Sequence, residues 1–295
     1  MVHDHAEIGR FLKAHRSALS PDRVGLPEGH NRRRVRGLRR EEVAQLAGVS
    51  VDYYTRIEQG RSGAVSHEVL DALSDALHLT RVERDYLQNL ARRFARRSGG
   101  AGRAAGPANG PCAPPDLPPE RVRGPVRALI DAMDDVPALV LGGGLNLLAW
   151  NRMAGRLMPI LDEIAEPHPN MARLLFLHPD VAALHLDLDE MRREVAAKLR
   201  ADTGRRPDDQ RLCRVVTGLK AESPLFRDMW EAQEVRERMN GECRLRHPVV
   251  GDLSLHFEKM LMPADPGQML VTYVAEPGSP AESALRLLAG AEETV

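Results

Sequence analysis

One stretch limits the folds open to this chain more than any other. It runs from Leu38 to Arg61, GLRREEVAQLAGVSVDYYTRIEQGR counted from Gly37. From Arg39 to Ala47, apolar Val43, Ala44, Leu46 and Ala47 recur at helical spacing against a charged opposite face. Gly48 stands where a helix C-cap needs a residue that tolerates positive φ. Ser50 then offers a hydroxyl as N-cap to a second helix, from Val51 to about Gln59, which ends at Gly60. Two short helices around a three-residue turn containing Gly form a helix-turn-helix, whose second helix is shaped to enter a major groove.

The second helix divides by face. Tyr54 and Ile57, three apart, are expected to pack inward with Val49 beneath them. Ser50, Val51, Asp52, Tyr53, Thr55 and Arg56 are left on or near the outer face, with Arg61 just beyond. Arg56 could grip a guanine edge or a phosphate, Asp52 could accept from cytosine, and Val51 or Tyr53 could touch a thymine methyl. The plain alternative is that these are solvated polar residues. The preceding run NRRRVRGLRR, with Arg32, Arg33, Arg34, Arg36, Arg39 and Arg40, favours a phosphate-facing arm beside the motif.

GLRREEVAQLAGVS followed by YYTRIEQGR resembles the XRE-type helix-turn-helix regulators of actinobacteria. The resemblance places Arg40 where the family holds the DNA backbone, and Val51, Asp52 and Arg56 at base-reading positions. It matches Glu58 to a Glu that forms an internal ion pair.

Composition narrows the remainder. The 295 residues allow two domains. No run of 18 uninterrupted apolar residues and no N-terminal apolar segment is present, so neither a membrane span nor a signal peptide is expected. Cys112, Cys213 and Cys243 lie far apart, which suits a reducing cytoplasm and gives no disulfide framework and no CxxC. The net charge of −1 hides an asymmetry: residues 1–100 hold 18 Lys+Arg against 13 Asp+Glu, and the remainder 23 against 29. A basic first part joined to an acidic second part suits a DNA-binding module attached to something that does not bind DNA.

Taken in order, Glu7 to Leu19 reads as a helix with Ile8, Phe11, Leu12 and His15 on one side. Ser20 to Gly37 reads as a loop ending in the basic arm, which tracks phosphates or probes a minor groove. Ser66 caps a helix from His67 to Leu77, and Thr80, with Glu83, caps another from Arg81 to Arg97, whose apolar face includes Phe94. These five helices make an all-α helix-turn-helix domain over 1–97. The Gly, Pro and Ala of 98–119 cannot build a core and read as a linker.

Residues 120–295 read as an α+β domain. VPALVL and LNLLAW around Gly142-Gly143-Gly144 suggest a β-hairpin, and the glycine run lacks the GK[ST] of a phosphate loop. Helices are expected over 121–133, 151–161, 170–177, 188–201, 208–221 and 224–235, strands over 242–247, 252–262 and 268–275, and a closing helix over 280–288. Leu253, Leu255 and Phe257 alternate with Ser254, His256 and Glu258 at period two. The order is compatible with a PAS-like domain, a five-stranded antiparallel sheet with helices over one face.

PALVLG, LLAWN, NMARLLFLHPD, SPLFRDMW, RHPVVGDLSL, YVAEPGSP and ALRLL, in this order, resemble the MmyB-like ligand-binding domain that follows such helix-turn-helix modules. The resemblance implies a PAS-like fold and a small lipophilic ligand. The chain departs from it at Gln233, where many relatives carry His, and at Cys243, where a basic residue is expected. Trp150, Met153, Phe176, Met229, Trp230 and Phe257 are the candidate ligand residues, placed between sheet and helices, with ordinary core filling as the alternative reading. His168, His178, His185, His247 and His256 are scattered without metal-ligand spacing, so no metal and no cofactor beyond a bound fatty acid or similar apolar molecule is expected. No acid/base pair or nucleophile set assembles, so catalytic residues are none.

The expectation is a cytoplasmic one-component regulator that binds double-stranded DNA as a homodimer and senses a lipophilic effector. The alternatives are a C-terminal domain that binds a protein partner or only dimerises, and an enzyme localised by DNA binding.

Overall fold

The computed structural model describes residues 2–26, 36–98, 119–164 and 169–290. Arg32, Arg33 and Arg34, most of the expected linker with Cys112, and His168 lie outside the described residues. The chain forms two compact units. The first comprises 1–108 with two later pieces, 200–207 and 230–236, and the second comprises 109–199, 208–229 and 237–295.

In the first unit, helices α1 (Val2–Ala18), α2 (Arg40–Leu46), α3 (Val51–Glu58), α4 (His67–Ala76) and α5 (Arg81–Ser98) succeed one another, with a 3-10 turn at Pro21–Val24. One core holds them: Ile8, Phe11 and Leu12 of α1, Val43 and Ala44 of α2, Tyr54 and Ile57 of α3, Leu70 and Leu73 of α4, and Tyr86, Leu87 and Leu90 of α5. Each large side chain fully buried there contributes about 1.5–3 kcal/mol by removal from water. Leu46 departs from the expected apolar face and is 40% exposed. The caps form as the sequence suggests. Ser66 accepts from the Val69 N–H at 3.4 Å, and the Glu83 carboxylate accepts from the Thr80 N–H at 2.7 Å. Ala201 and Val235, from the two later pieces, belong to this same core.

The second unit is built on a five-stranded antiparallel sheet in the order β2-β1-β5-β4-β3. Its strands are β1 (Ala138–Leu141), β2 (Leu147–Trp150), β3 (Asn240–His247), β4 (Gly251–Leu261) and β5 (Met269–Val274). The β1–β2 hairpin turns through Gly143–Leu145, where Gly144 has φ 67°. Asn151 fastens the hairpin to the helix that begins at Arg152: its side-chain oxygen accepts from the Ala138 and Ala154 N–H groups, while its amide donates to the Val136 carbonyl at 2.8 Å. β4 alternates as expected, with Leu253, Leu255 and Phe257 buried and Ser254, His256 and Glu258 exposed.

Register sorts the sheet residues by face. Ala138, Val140, Ala149 and Leu270 pack with Ile130 of α6 (Gly124–Asp131). Leu139 lies opposite Trp150 and Val271, Val271 opposite Lys259, and Tyr273 opposite Phe257, so these residues share the other face. The remaining helices of this unit are α7 (Arg152–Leu157), α8 (Ile160–Glu163), α9 (Met171–Leu177), α10 (Pro179–Leu184), α11 (Leu188–Arg205), α12 (Gln210–Glu222), α13 (Pro224–Glu231) and α14 (Pro280–Gly290), the ends of α11 and α13 counting with the first unit. Cys243 is free and buried, and burial pushes its thiol up to about 12. Cys213 on α12 is disulfide-bonded, a correction to the expectation that the cysteines give no disulfide framework.

Candidate nucleic-acid interface

Three devices fix α3. The first is a close approach: a Cβ added at Gly9 of α1 would lie 2.1 Å from the Glu58 carbonyl oxygen, so only glycine lets the two backbones meet. The second is an ion-pair clamp on Glu58, whose side chain is 1% exposed. Arg16 of α1 donates to it through Nε at 2.8 Å and Nη2 at 3.0 Å, and through Nη1 to the Leu38 carbonyl at 2.8 Å. Arg40 of α2 donates to the same carboxylate through Nε at 3.0 Å and Nη2 at 2.9 Å. Burial would raise the Glu58 carboxyl, but the hydrogen bonds from Arg16 and Arg40 outweigh it and hold the group below the usual carboxylate range. The third device is the turn. Gly48 has φ 65°, and the Ser50 hydroxyl accepts from the Tyr53 N–H at 3.2 Å.

These devices leave one side of α3 outward. Val51 is 39% exposed, and Ser50, Asp52 and Arg56 are exposed. Tyr53 and Thr55 are half-buried, and the Arg56 guanidinium lies 5.9 Å from the Tyr53 ring centre. Tyr54 and Ile57 face inward at 0% and 1% exposure. Arg39 and Arg61 are placed at the two ends of the motif, both exposed. Arg39 is the N-cap of α2, and its N–H donates to the Glu42 carboxylate at 2.7 Å. Arg40 keeps 40% of its side chain exposed while serving Glu58. Its role in the clamp adds to the phosphate contact expected of it.

Residues 122–288 match the MmyB-like transcription regulator ligand binding domain, and residues 7–87 match a helix-turn-helix domain. The chain belongs to the MmyB-like transcription regulators. No curated protein matches it. Both families are regulatory rather than enzymatic, and together they make the chain a DNA-binding transcription regulator with a ligand-binding domain. Among the described residues no helix is long and apolar enough to cross a membrane.

In the MmyB-like domain, the expected ligand residues are spread over β2, α7, α9, α13 and β4. Trp150 and Phe257 share one sheet face, and Met153 is fully buried in α7, close to Trp150 in sequence. Trp150 is half-buried and donates from Nε1 to Asp162 at 2.8 Å. Phe257 sits between charges: the Arg238 guanidinium lies 5.2 Å and the Lys259 ammonium 4.6 Å from its ring centre. Burial draws the Lys259 ammonium down to about 8. Phe176 meets Phe226 edge-on at 5.1 Å, and Met229 is half-buried. Trp230 counts with the first unit, and its ring carries the Arg200 guanidinium at 4.2 Å.

Sequence reasoning passes over Gly9, Arg16 and Arg200. Gly9 and Arg16 act on Glu58, more than forty positions away. A glycine inside an otherwise regular helical pattern is the available signal for Gly9.

Proposed function

We propose that this regulator reads duplex DNA with Val51, Asp52 and Arg56, assisted by Ser50, Tyr53 and Thr55, and grips phosphates with Arg39, Arg40 and Arg61. The arm with Arg32, Arg33 and Arg34 adds further phosphate or minor-groove contacts. The observation that carries the reading is the division of α3: Tyr54 and Ile57 are locked inward, while Val51, Asp52 and Arg56 face outward, where a groove can meet them. A homodimer on a two-fold site, with half-sites about 34 Å apart, agrees with the usual geometry of this motif. Selection of duplexes from a random pool by the full chain tests it: a symmetric site supports the dimer, and recovery of no preferred sequence refutes base reading.

The sheet face with Trp150 and Phe257 is the proposed seat of a small lipophilic effector. Support comes from the MmyB-like match and from the register that puts Leu139, Trp150, Val271 and Phe257 on that face. Titration with decanoate, followed by melting temperature, tests this. The cytoplasm is the proposed place of work, as DNA binding requires access to the chromosome; the disulfide at Cys213 is a feature a reducing compartment does not favour. A second reading, in which the C-terminal domain binds a protein, draws on exposed Val249 (80%), Leu261 (61%) and Leu287 (68%).

A further inference from the structure

Arg200 is the largest fully buried side chain among the described residues, at 1% exposure. A buried guanidinium persists only where its donors are met. Nη1 donates to the Gln233 side-chain oxygen at 3.0 Å and to the Tyr86 hydroxyl at 3.3 Å, and lies 3.5 Å from the Glu7 carboxylate. Nη2 donates to the Trp230 carbonyl, and the guanidinium carbon lies over the Trp230 ring, 4.2 Å from its centre. The Tyr86 hydroxyl in turn donates to Glu7 at 3.0 Å. Four separate stretches of chain therefore meet on one cation: α1, α5, the end of α11 and the segment that closes α13.

Packing around this cation is equally close. A Cβ at Gly204 would lie 2.4 Å from the Tyr86 ring, and Ala201 and Val235 fill the helical core. Residues 200–207 and 230–236 lie within the MmyB-like match at 122–288, yet both count with the helical unit. Gln233 has φ 60°, a left-handed backbone that few side chains adopt, and it is held there with its side-chain oxygen on Arg200.

Helix α1 joins this cluster to the DNA-reading end. Glu7 touches Tyr86 and Arg200; two residues on, Gly9 abuts the end of α3, and Arg16 clamps Glu58. A helix transmits displacement along its length because its hydrogen bonds make it stiff. Any shift of the cluster therefore moves the helix that seats α3.

We infer that Arg200 is a positioning residue for DNA reading, tying α1, and through Gly9 and Arg16 the recognition helix α3, to the two segments that the MmyB-like sequence contributes to the helical unit. The inference rests on the DNA-binding reading proposed for α3. It also gives the effector a route: a ligand that biases segments 200–207 and 230–236 biases α3, and DNA binding biases those segments reciprocally.

The test uses the full chain labelled with 5-fluorotryptophan and the duplex of highest affinity from the random-pool selection. The protein has two tryptophans, so a Trp150→Phe sample assigns the Trp230 fluorine resonance. Saturating duplex is expected to shift the Trp230 resonance in the wild type. In Arg200→Met the shift is expected to vanish and duplex affinity to fall by roughly fivefold or more, the lower end of ordinary coupling between sites. Should Arg200→Met not fold, Tyr86→Phe, which removes one hydroxyl and no ring, carries the test with a smaller loss in the same direction. A role confined to stability would lower the melting temperature while leaving both the Trp230 response and the affinity of the folded protein intact, and that result overturns the inference. A duplex that binds the wild type without moving Trp230 overturns the inference alone. Recovery of no duplex overturns the DNA reading and the inference together.

Discussion

A single carboxylate holds three helices at the DNA-reading end of this protein. Glu58 is almost fully buried and accepts hydrogen bonds from Arg16 and Arg40, so its loss strands two guanidiniums rather than one. Breaking a buried pair in this way costs about 3 kcal/mol, and Glu58→Ala is expected to lose that much in urea denaturation. The pH dependence has a definite sign. The folded carboxyl sits below its ordinary value of 4.5, because the two arginines outweigh its burial. Its contribution is therefore complete above about 4.5 and fades as pH falls through the folded value. Glu58→Gln should be less stable near neutrality and should show a shallower acid limb when melting temperature is followed from about pH 6 to pH 3. Parallel acid limbs in the two proteins would show that the clamp carries no such linkage.

Among the elements, α1 does more than bury an apolar stripe. Its Gly9 allows the α1 and α3 backbones to meet, with a hypothetical Cβ 2.1 Å from a carbonyl oxygen that cannot swing aside. Gly9→Ala is expected to cost about 2 kcal/mol by overpacking and to weaken duplex binding, since α3 must shift to make room. Gly124→Ala faces open space at the start of α6 and should stay within about 0.5 kcal/mol of wild type by the same denaturation measurement. The same contrast between local and distant partners decides what is legible in the sequence. The α2-turn-α3 motif is legible because Gly48, Ser50 and the spacing of Tyr54 and Ile57 act within a dozen residues. The alternation of β4 and the glycine turn of the hairpin are legible for the same reason. Short α10, six residues opening on Pro179, escapes because so brief a segment carries barely more than one turn of periodicity. Arg200 looks like part of an ordinary charged helix. Its burial depends on Glu7, Tyr86 and Gln233, which no local pattern brings together. In a sequence, aromatic and Met residues look alike whether they line a cavity or hold a cation, as Trp230 holds Arg200.

At the scale of the whole molecule, a DNA reader is joined to a ligand-binding domain of the MmyB-like type. A ligand that binds the folded state alone raises its stability with concentration. Decanoate is expected to raise the melting temperature of the full chain progressively and to change tryptophan emission through Trp150; a flat response across apolar acids would favour the protein-binding reading of the second domain. The central claim at this scale remains the outward face of α3, and base readout separates it from general attraction to phosphate. The decisive measurement is the affinity of Arg56→Ala and Arg61→Ala for the selected duplex and for each single-base variant of it. Arg56→Ala is predicted to lose about 1–3 kcal/mol and to relax preference at one base position, while Arg61→Ala weakens all duplexes alike and lowers the salt slope by about one. Identical base preferences in wild type and in every α3 outer-face variant would contradict the account.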